Sequence, residues 1–357
     1  MRFGPINRFV LFGGGTRLAA FAQHAIARGY GVIVCSAPRL LTAVLDGTTV
    51  TVEQHLRDMG IPFHSITDLR AFPLETLVDE RTIGISFGAP WIFRNEHLVL
   101  FAGRLLNAHG TCLPENRGAA TFSWQVMRDD RRGAFLFHEV DAGVDSGPII
   151  AMESYMFPET CRTPAEYRAY HVAHEPDFFA RFLDRLRVDD DFPHISQDEA
   201  RATYFPRLAT AEHGFVDWRW SGEEIAQFIA AFDDPYSGAM TFLRGARVTL
   251  HGATTHDRDG AFHPFMSGLI IRVHDDGIAI AAHDRTLVVR AVRPIVGEKP
   301  PVMRPGVRCA TPQSVLDAAR AFEAVYDAHG LRTDASRISS VAPSVWQPAS
   351  SPSTSAP

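Results

Sequence analysis

Lysine is almost absent from this chain of 357 residues, and acidic side chains outnumber basic ones by 41 to 35, for a formal net charge of −6. Lys299 is the single lysine, and the compact arginine cluster at 128–132 also contains two aspartates. Proteins that bind along nucleic acids neutralise many phosphates with basic residues. The composition therefore predicts no nucleic-acid partner, whereas a few arginines suffice to bind a small phosphorylated ligand.

Cysteine is also scarce. The four cysteines, Cys35, Cys112, Cys161 and Cys309, are scattered without CxxC spacing. Such a pattern indicates free thiols in a reducing compartment rather than disulfides or a zinc site. We therefore predict a cytoplasmic protein without a metal ion.

Long apolar runs are missing. No stretch approaches the roughly 20 apolar residues that span a bilayer. The apolar run at 9–12 follows basic residues, but three glycines at 13–15 cut it far too short for a signal peptide. We expect no membrane association, and the content of 46% hydrophobic and 21% charged residues is typical of globular domains.

The first half alternates strand and helix patterns. The predicted strands lie at 8–12, 31–35, 61–65 and 82–87, with helical patterns after the first and near 51–59. This alternation predicts an α/β domain with a Rossmann-like, doubly wound, mostly parallel sheet. An aromatic-rich pattern predicts a further helix at 164–187 that packs on the sheet.

The second half of the chain has a different pattern of predicted elements. Ser221 and Glu224 have capping-box spacing and predict a helix that runs to Phe232. Short β patterns follow at 239–243, 246–251, 268–274, 277–282 and 286–292, and a helical pattern covers 313–328. We predict a catalytic domain at 1–190, a linker at 191–203, a smaller helix and β-rich, barrel-like domain at 204–330, and a disordered tail at 331–357.

The glycines at 13–15 permit two interpretations. Such a turn before a helix can cradle a phosphate. The dinucleotide-binding fingerprint, however, needs a further glycine where Leu18 stands, and an acidic residue at the end of the second strand, which is missing. A tight turn is the favoured interpretation, and we expect no nicotinamide cofactor.

Acyl-transfer chemistry is suggested by residues 105–150. Asn107 and His109 are two apart, so on an extended strand both project to the same side. An amide can donate a hydrogen bond to a developing oxyanion, and an imidazole can accept a proton from an attacking amine. Asp145, in a glycine-flanked loop, can orient that imidazole. Each residue also has a structural explanation, as a strand-end turn former, a buried histidine and a turn residue.

The joint pattern is more specific than its parts. It comprises Asn107-Ala108-His109, the Leu-Pro-x-x-Arg-Gly run at 113–118, His138, and the Asp-x-Gly-x-Asp-x-Gly loop at 141–147, with a further matching loop at 85–92. This region resembles the formyltransferases that use 10-formyltetrahydrofolate. The resemblance implies that Asn107, His109 and Asp145 are the catalytic triad, and that His138 is structural or supports them.

The resemblance also implies how ligands bind. The folate's pterin ring would lie against two loops, mainly through backbone groups. The loop residues are Phe87, Gly88, Ala89, Trp91, Val140, Asp141 and Gly143. Arg117 is the candidate ligand of a substrate phosphate. One departure from the family pattern is Leu136, which stands where a threonine is expected.

Similarity to the family continues at 204–208, 213–218 and 235–239, and is closest to the nucleotide-sugar branch. It implies transfer of a formyl group to the primary amine of a dTDP-, GDP- or UDP-linked amino sugar. Methionyl-tRNA, another small amine, simple hydrolysis of the donor, and a non-enzymatic binding module remain alternatives. The edges of the β-rich domain could support a homodimer.

Overall fold

A computed structural model describes residues 1–295 and 302–332. Its larger sheet has seven strands in the order β3-β2-β1-β4-β5-β7-β8. These strands are β1 (Arg8–Gly13), β2 (Gly31–Ser36), β3 (Phe63–Ser65), β4 (Thr82–Phe87), β5 (Leu105–Thr111), β7 (Arg132–Glu139) and β8 (Ile149–Met156). The strands from β3 to β5 are parallel, and β7 and β8 are antiparallel additions. The predicted mostly parallel sheet is confirmed.

Helices cover both faces of this sheet. They are α1 (Gly15–Ala27), α2 (Pro38–Leu41), α3 (Val52–Asp58), α4 (Asn95–Phe101), α5 (Thr121–Met127) and α6 (Pro164–Arg187). The pair α1 and α6 buries Phe21 and Phe179 against one face, and α4 buries Phe101 against the other. Because both faces are covered, the strands are apolar almost throughout. Among the described residues, no helix combines the length and apolar character needed to cross a membrane.

A second sheet follows. Its six strands have the order β12-β13-β14-β11-β10-β15. They are β10 (Ala239–Leu243), β11 (Ala246–His256), β12 (Ile270–His274), β13 (Gly277–Ala281), β14 (Thr286–Pro294) and β15 (Cys309–Ala310). Helix α8 (Gly222–Ala231), which begins with the predicted Ser221–Glu224 capping box, packs Ile225 and Ile229 on this antiparallel sheet. A short helix, α7 (Thr210–His213), precedes it.

The carboxyl-terminal prediction needs correction. Helix α9 (Gln313–Ala321) ends before 328, because Phe322 is extended and its carbonyl oxygen lies 3.0 Å from Nε2 of His213. Strands β16 (Tyr326–Asp327) and β17 (Gly330–Leu331) then form a small hairpin. The predicted tail begins at the last residue of β17, and its residues 333–357 lie outside the described part of the chain.

The predicted linker lies against the first sheet. Residues 192–205, here called the strap, begin with buried Phe192 and form an isolated bridge between Ile195 and Ile149. The strap ends in β9 (Tyr204–Phe205), which pairs in parallel with β6 (Arg117–Gly118). Its backbone is thus bonded to the first domain at both ends. The division into domains at 190 and 204 stays a prediction.

Candidate active site

The three predicted catalytic residues come together beside the carboxyl end of β4. Asn107 and His109 lie on β5, and Asn107 pairs with Ser86 of β4 on one side and with His138 of β7 on the other. Asp145 reaches the same place from the loop that follows β7. Ligands of open α/β sheets typically bind at the carboxyl ends of the parallel strands.

Asp145 is held from several directions. Its Oδ2 atom accepts a hydrogen bond of 2.8 Å from the backbone amide of Gly118, and its Oδ1 atom accepts one of 3.3 Å from Nδ2 of Asn107. Its backbone has a φ of 52°, a left-handed conformation that is uncommon outside glycine. Asp145 therefore depends on its surroundings to keep its carboxylate in place.

His109 is buried, with only 7% of its surface exposed. Its Nε2 atom lies 2.8 Å from the carbonyl oxygen of Asn116 and 2.9 Å from the hydroxyl of Thr111. A carbonyl can only accept, so Nε2 carries the proton in the neutral ring. The lone pair is then on Nδ1, which lies 3.8 Å from Oδ2 of Asp145. This tautomer directs the basic nitrogen of His109 toward the carboxylate.

Asn107 bridges the other two groups. Besides the contact with Asp145, its Nδ2 atom lies 3.1 Å from Nε2 of His138. The Nδ1 atom of His138 lies 2.9 Å from the carbonyl oxygen of Glu139, which assigns the ring proton to Nδ1 and makes Nε2 an acceptor. Both hydrogens of the Asn107 amide are thus engaged. His138, predicted to be structural or supporting, lies in direct contact with Asn107.

The electrostatics suit acid–base work at neutral pH. Burial opposes ionisation of Asp145, but the electrostatic influence of the nearby His109 and His138 rings and the hydrogen bond from the Gly118 amide outweigh burial and hold the pKa of Asp145 well below its usual value. Burial lowers the pKa of His109, an effect that Asp145 partly offsets. At neutral pH, Asp145 is therefore a carboxylate and His109 a neutral base.

The same cluster has enough donors for a metal ion. His109, His138 and Asp145 each offer one ligand atom, and these three atoms lie within 4.8 Å of one another. However, Nε2 of His138 and Oδ1 of Asp145 already accept the Asn107 amide. We interpret the cluster as an acid–base site, and the lack of a metal stays a prediction.

The two predicted pterin loops lie side by side. Ala89, Trp91 and Val140 pack in one apolar cluster, and Nε1 of Trp91 donates to the carbonyl oxygen of Thr67. The side chain of Phe87 is instead buried in the core beside α1, so this residue can offer only its backbone to a ligand.

Gly88, Asp141 and Gly143 belong to the same two loops. A Cβ atom built on Gly88 has no neighbour within 4 Å, so the backbone there is open to a ligand. The Oδ1 atom of Asp141 accepts hydrogen bonds from the amide of Gly143 and the hydroxyl of Ser146. Asp141 and Gly143 therefore shape the loop, and their contact with a folate stays a prediction.

The glycine turn after β1 supports the simpler of its two interpretations. A Cβ atom on Gly13 would lie 2.2 Å from the carbonyl oxygen of Phe87, and Gly13 has a φ of 110°. Close approach of the two backbones therefore requires glycine at this position.

Arg117 is placed differently from the expectation. Its guanidinium is largely buried and donates to Oε1 of Gln197 and to both carboxylate oxygens of Glu199, at distances from 2.7 to 3.1 Å. These partners argue against Arg117 as a phosphate ligand. The sequence analysis missed Gln197, because it lies in a polar segment without any motif.

Comparisons with known proteins identify a matching domain and similar proteins. Residues 209–301 match the family model described as "Formyl transferase, C-terminal domain". A methionyl-tRNA formyltransferase of Roseiflexus castenholzii is 27% identical over 297 residues, which cover 83% of this chain and 88% of that protein.

Two solved structures share the fold. WlaRD, a sugar 3N-formyl transferase crystallised with dTDP and 5-N-formyl-THF, has a TM-score of 0.61 at 13% identity, covering 82% of this chain and 99% of that one. The N-formyltransferase of Helicobacter canadensis, in complex with folinic acid and dTDP-3-aminofucose, has a TM-score of 0.60 at 15% identity, covering 80% and 99%. Together, the matched domain, the curated relatives and the shared fold support assignment of the chain to the formyltransferase family.

Proposed function

We propose that this protein transfers a formyl group from 10-formyltetrahydrofolate to the primary amine of a nucleotide-linked amino sugar. The observation that carries the proposal is the tautomer of His109, which directs its unprotonated Nδ1 toward Asp145 in a site that also holds the Asn107 amide. An acyl transfer to an amine needs a base for the proton and a donor for the oxyanion.

His109 acts as the general base in this mechanism. Its Nδ1 accepts a proton from the amine as the nitrogen attacks the formyl carbon, and Asp145 stabilises the resulting imidazolium at 3.8 Å. The new carbon–nitrogen bond forms first and gives a tetrahedral intermediate, which collapses as the bond between the formyl carbon and N10 of the folate breaks. The proton held by His109 then returns to that nitrogen, so tetrahydrofolate leaves neutral at N10.

Asn107 stabilises the oxyanion of the tetrahedral intermediate. Because both of its amide hydrogens are engaged, one contact must be exchanged for the new oxygen. The contact with Asp145 is the longer, at 3.3 Å against 3.1 Å for His138, and is the one we expect to yield. His138 then keeps the amide oriented during the reaction.

The substrate class is supported by charge and by the solved neighbours. With a net charge of −6 and one lysine, the chain offers little to a polyanion such as tRNA. Two proteins of the same fold were crystallised with dTDP or a dTDP-linked amino sugar, and with a reduced folate. Methionyl-tRNA is the second candidate, because curated relatives with 27% identity carry that activity in their names.

Release of tetrahydrofolate from 10-formyltetrahydrofolate tests the proposal. Parallel reactions contain no acceptor, a panel of dTDP-, GDP- and UDP-linked amino sugars, or methionyl-tRNA, and a His109→Gln variant controls for contaminating activity. We expect release and a formyl mass gain with one sugar. Release only with methionyl-tRNA would establish the second candidate, release without an acceptor would indicate hydrolysis, and no release in any reaction would contradict the proposal.

Two further expectations concern the cellular location and the oligomeric state. We propose a cytoplasmic location, where reduced folates and free thiols coexist, and a homodimer formed through the second sheet. Multi-angle light scattering of the purified chain distinguishes a monomer of 39.5 kDa from a dimer.

A further inference from the structure

Gln197 of the strap binds the loop that carries Asp145. Its Nε2 atom donates to the carbonyl oxygen of Asp145 at 2.8 Å and to that of Gly147 at 2.7 Å. Both hydrogens of the Gln197 side-chain amide are therefore donated to backbone carbonyl oxygens of this loop. The contact spans about 50 positions of sequence and joins the segment after α6 to the acid–base site.

Arg117 fixes the orientation of this amide. Its Nε and Nη2 atoms donate to Oε1 of Gln197 at 3.1 and 3.0 Å. A guanidinium has no acceptor, so the oxygen of Gln197 must face Arg117 and the nitrogen must face the loop. Glu199, two residues further along the strap, pairs with the same guanidinium at 2.7 Å. The charge of Arg117 is thus used to hold Gln197 in place.

Asp145 is consequently held at two points by neighbouring residues. The amide of Gly118 holds its carboxylate, while Arg117 acts through Gln197 on its carbonyl oxygen. Asp145 needs such support, because its left-handed backbone is unfavourable for a residue with a side chain.

We propose that Gln197 is a positioning residue, through which the strap keeps the carboxylate of Asp145 beside His109. This inference rests on the role of Asp145 in the proposed function. The segment predicted as a linker thus has a specific part in catalysis. Gln197 itself contacts neither His109 nor Asn107.

Two variants test this role. Gln197→Ala removes the amide, and Gln197→Glu keeps the shape and the pairing with Arg117 but cannot donate to the two carbonyl oxygens. Since displacement of a catalytic group by about 1 Å can cost about 100-fold in rate, we expect both variants to lose roughly tenfold or more in kcat, with KM for the amino sugar little changed. The matched control is Arg201→Ala, which removes a different contact of the strap with Glu115.

A second measurement does not depend on turnover. Carbon-13 resonances of the His109 and His138 rings report the position of the nearby carboxylate in the free protein, and a His109→Gln variant assigns the first of them. Both resonances should move in the two Gln197 variants and stay in place in the control. This readout separates the present inference from the proposed function, because an enzyme inactive with every amino sugar would still show the movement.

The outcomes are distinct. Loss of kcat together with displaced histidine resonances supports the inference. Unchanged resonances overturn it, whatever the rate, because Asp145 has then not moved. Displaced resonances with an unchanged kcat in an active enzyme also overturn it, since the positioning then has no catalytic consequence. An equal effect of Arg201→Ala would assign the role to the strap as a whole and overturn the specific role of Gln197.

Discussion

The Nε2 atom of His109 donates to the backbone carbonyl oxygen of Asn116, at 2.8 Å. This single hydrogen bond fixes the tautomer of the imidazole and anchors β5 to the turn that follows it. The partner is a backbone atom, so the assignment of the basic nitrogen does not depend on the identity of residue 116. The base can take up a proton only at Nδ1, on the side of Asp145.

His109→Gln should remove the general base while keeping a polar side chain of similar size. General-base catalysis contributes about 100- to 10,000-fold, so kcat should fall within this range. Release of tetrahydrofolate measures the loss, and circular dichroism checks the fold. His274→Gln, at an exposed strand end in the second sheet, is the matched control and should keep full activity. Near-normal turnover of His109→Gln would exclude the mechanism.

Asn107→Ala removes the amide that His138 and Asp145 share. Loss of one oxyanion donor costs about 100- to 1,000-fold in kcat, and we expect a loss in this range. Steady-state kinetics should show it in kcat rather than in KM for the amino sugar, because the interaction forms with the intermediate. A loss confined to KM would indicate that Asn107 binds substrate instead.

Asp145→Asn should change the pH dependence as well as the rate. Burial lowers the pKa of His109 and the carboxylate of Asp145 partly offsets it, so removal of the carboxylate lowers the pKa further. The acid limb of the kcat/KM profile, which reports the protonation of the free base, should therefore move to lower pH. The maximal rate should fall by roughly 100-fold, because the imidazolium loses its counter-charge. An acid limb displaced to higher pH would contradict this assignment.

Arg117→Ala distinguishes a phosphate ligand from a structural cation. The guanidinium is engaged by Gln197 and Glu199, so we expect little change in KM for the nucleotide sugar and a fall in kcat. If Arg117 bound the substrate phosphate, Arg117→Ala would instead raise KM and leave kcat unchanged, because that contact would be equally strong in the ground state and the transition state. Initial rates over a range of sugar concentrations separate the two.

Arg17 and Glu175 form a buried ion pair between α1 and α6, with Nε of Arg17 at 2.7 Å from Oε2 of Glu175. Burial alone would raise the pKa of Glu175, but Arg17 and His171 lower it to about 2. Arg17→Ala leaves this carboxylate without its main counter-charge and should lower the free energy of unfolding by about 3–5 kcal/mol at neutral pH.

The pH dependence of this loss has a definite sign. In the wild type, the lowered pKa stabilises the fold above the ordinary pKa of 4.5, and this contribution is lost as pH falls toward about 2. In Arg17→Ala, protonation of Glu175 relieves the buried charge, so the difference between the two proteins should shrink in acid. Urea unfolding at pH 7 and pH 4 measures it. Arg168→Ala, which removes an exposed pair with Asp46, is the control and should change stability by less than about 1 kcal/mol.

Local patterns in the sequence determined the layers of the fold and the side of β5 on which Asn107 and His109 lie. Alternating apolar strands and helices predicted the parallel sheet, and the two-residue spacing of Asn107 and His109 placed both on one side of β5. These inferences succeed because periodicity and short motifs depend on neighbours along the chain. The helical pattern at 313–328 was wrong in its second half, where the carbonyl oxygen of Phe322 contacts His213 and the chain then forms the hairpin of β16 and β17.

Only the tertiary structure decided the partners of buried polar groups. Arg117 meets Gln197 and Glu199 about 80 positions away, and no spacing rule predicts such a pairing. The same holds for the tautomer of His109, which follows from the carbonyl oxygen of Asn116. A buried donor takes whichever acceptor the folded chain brings within reach, so these contacts, and with them the roles of Arg117 and Gln197, depend on the complete fold.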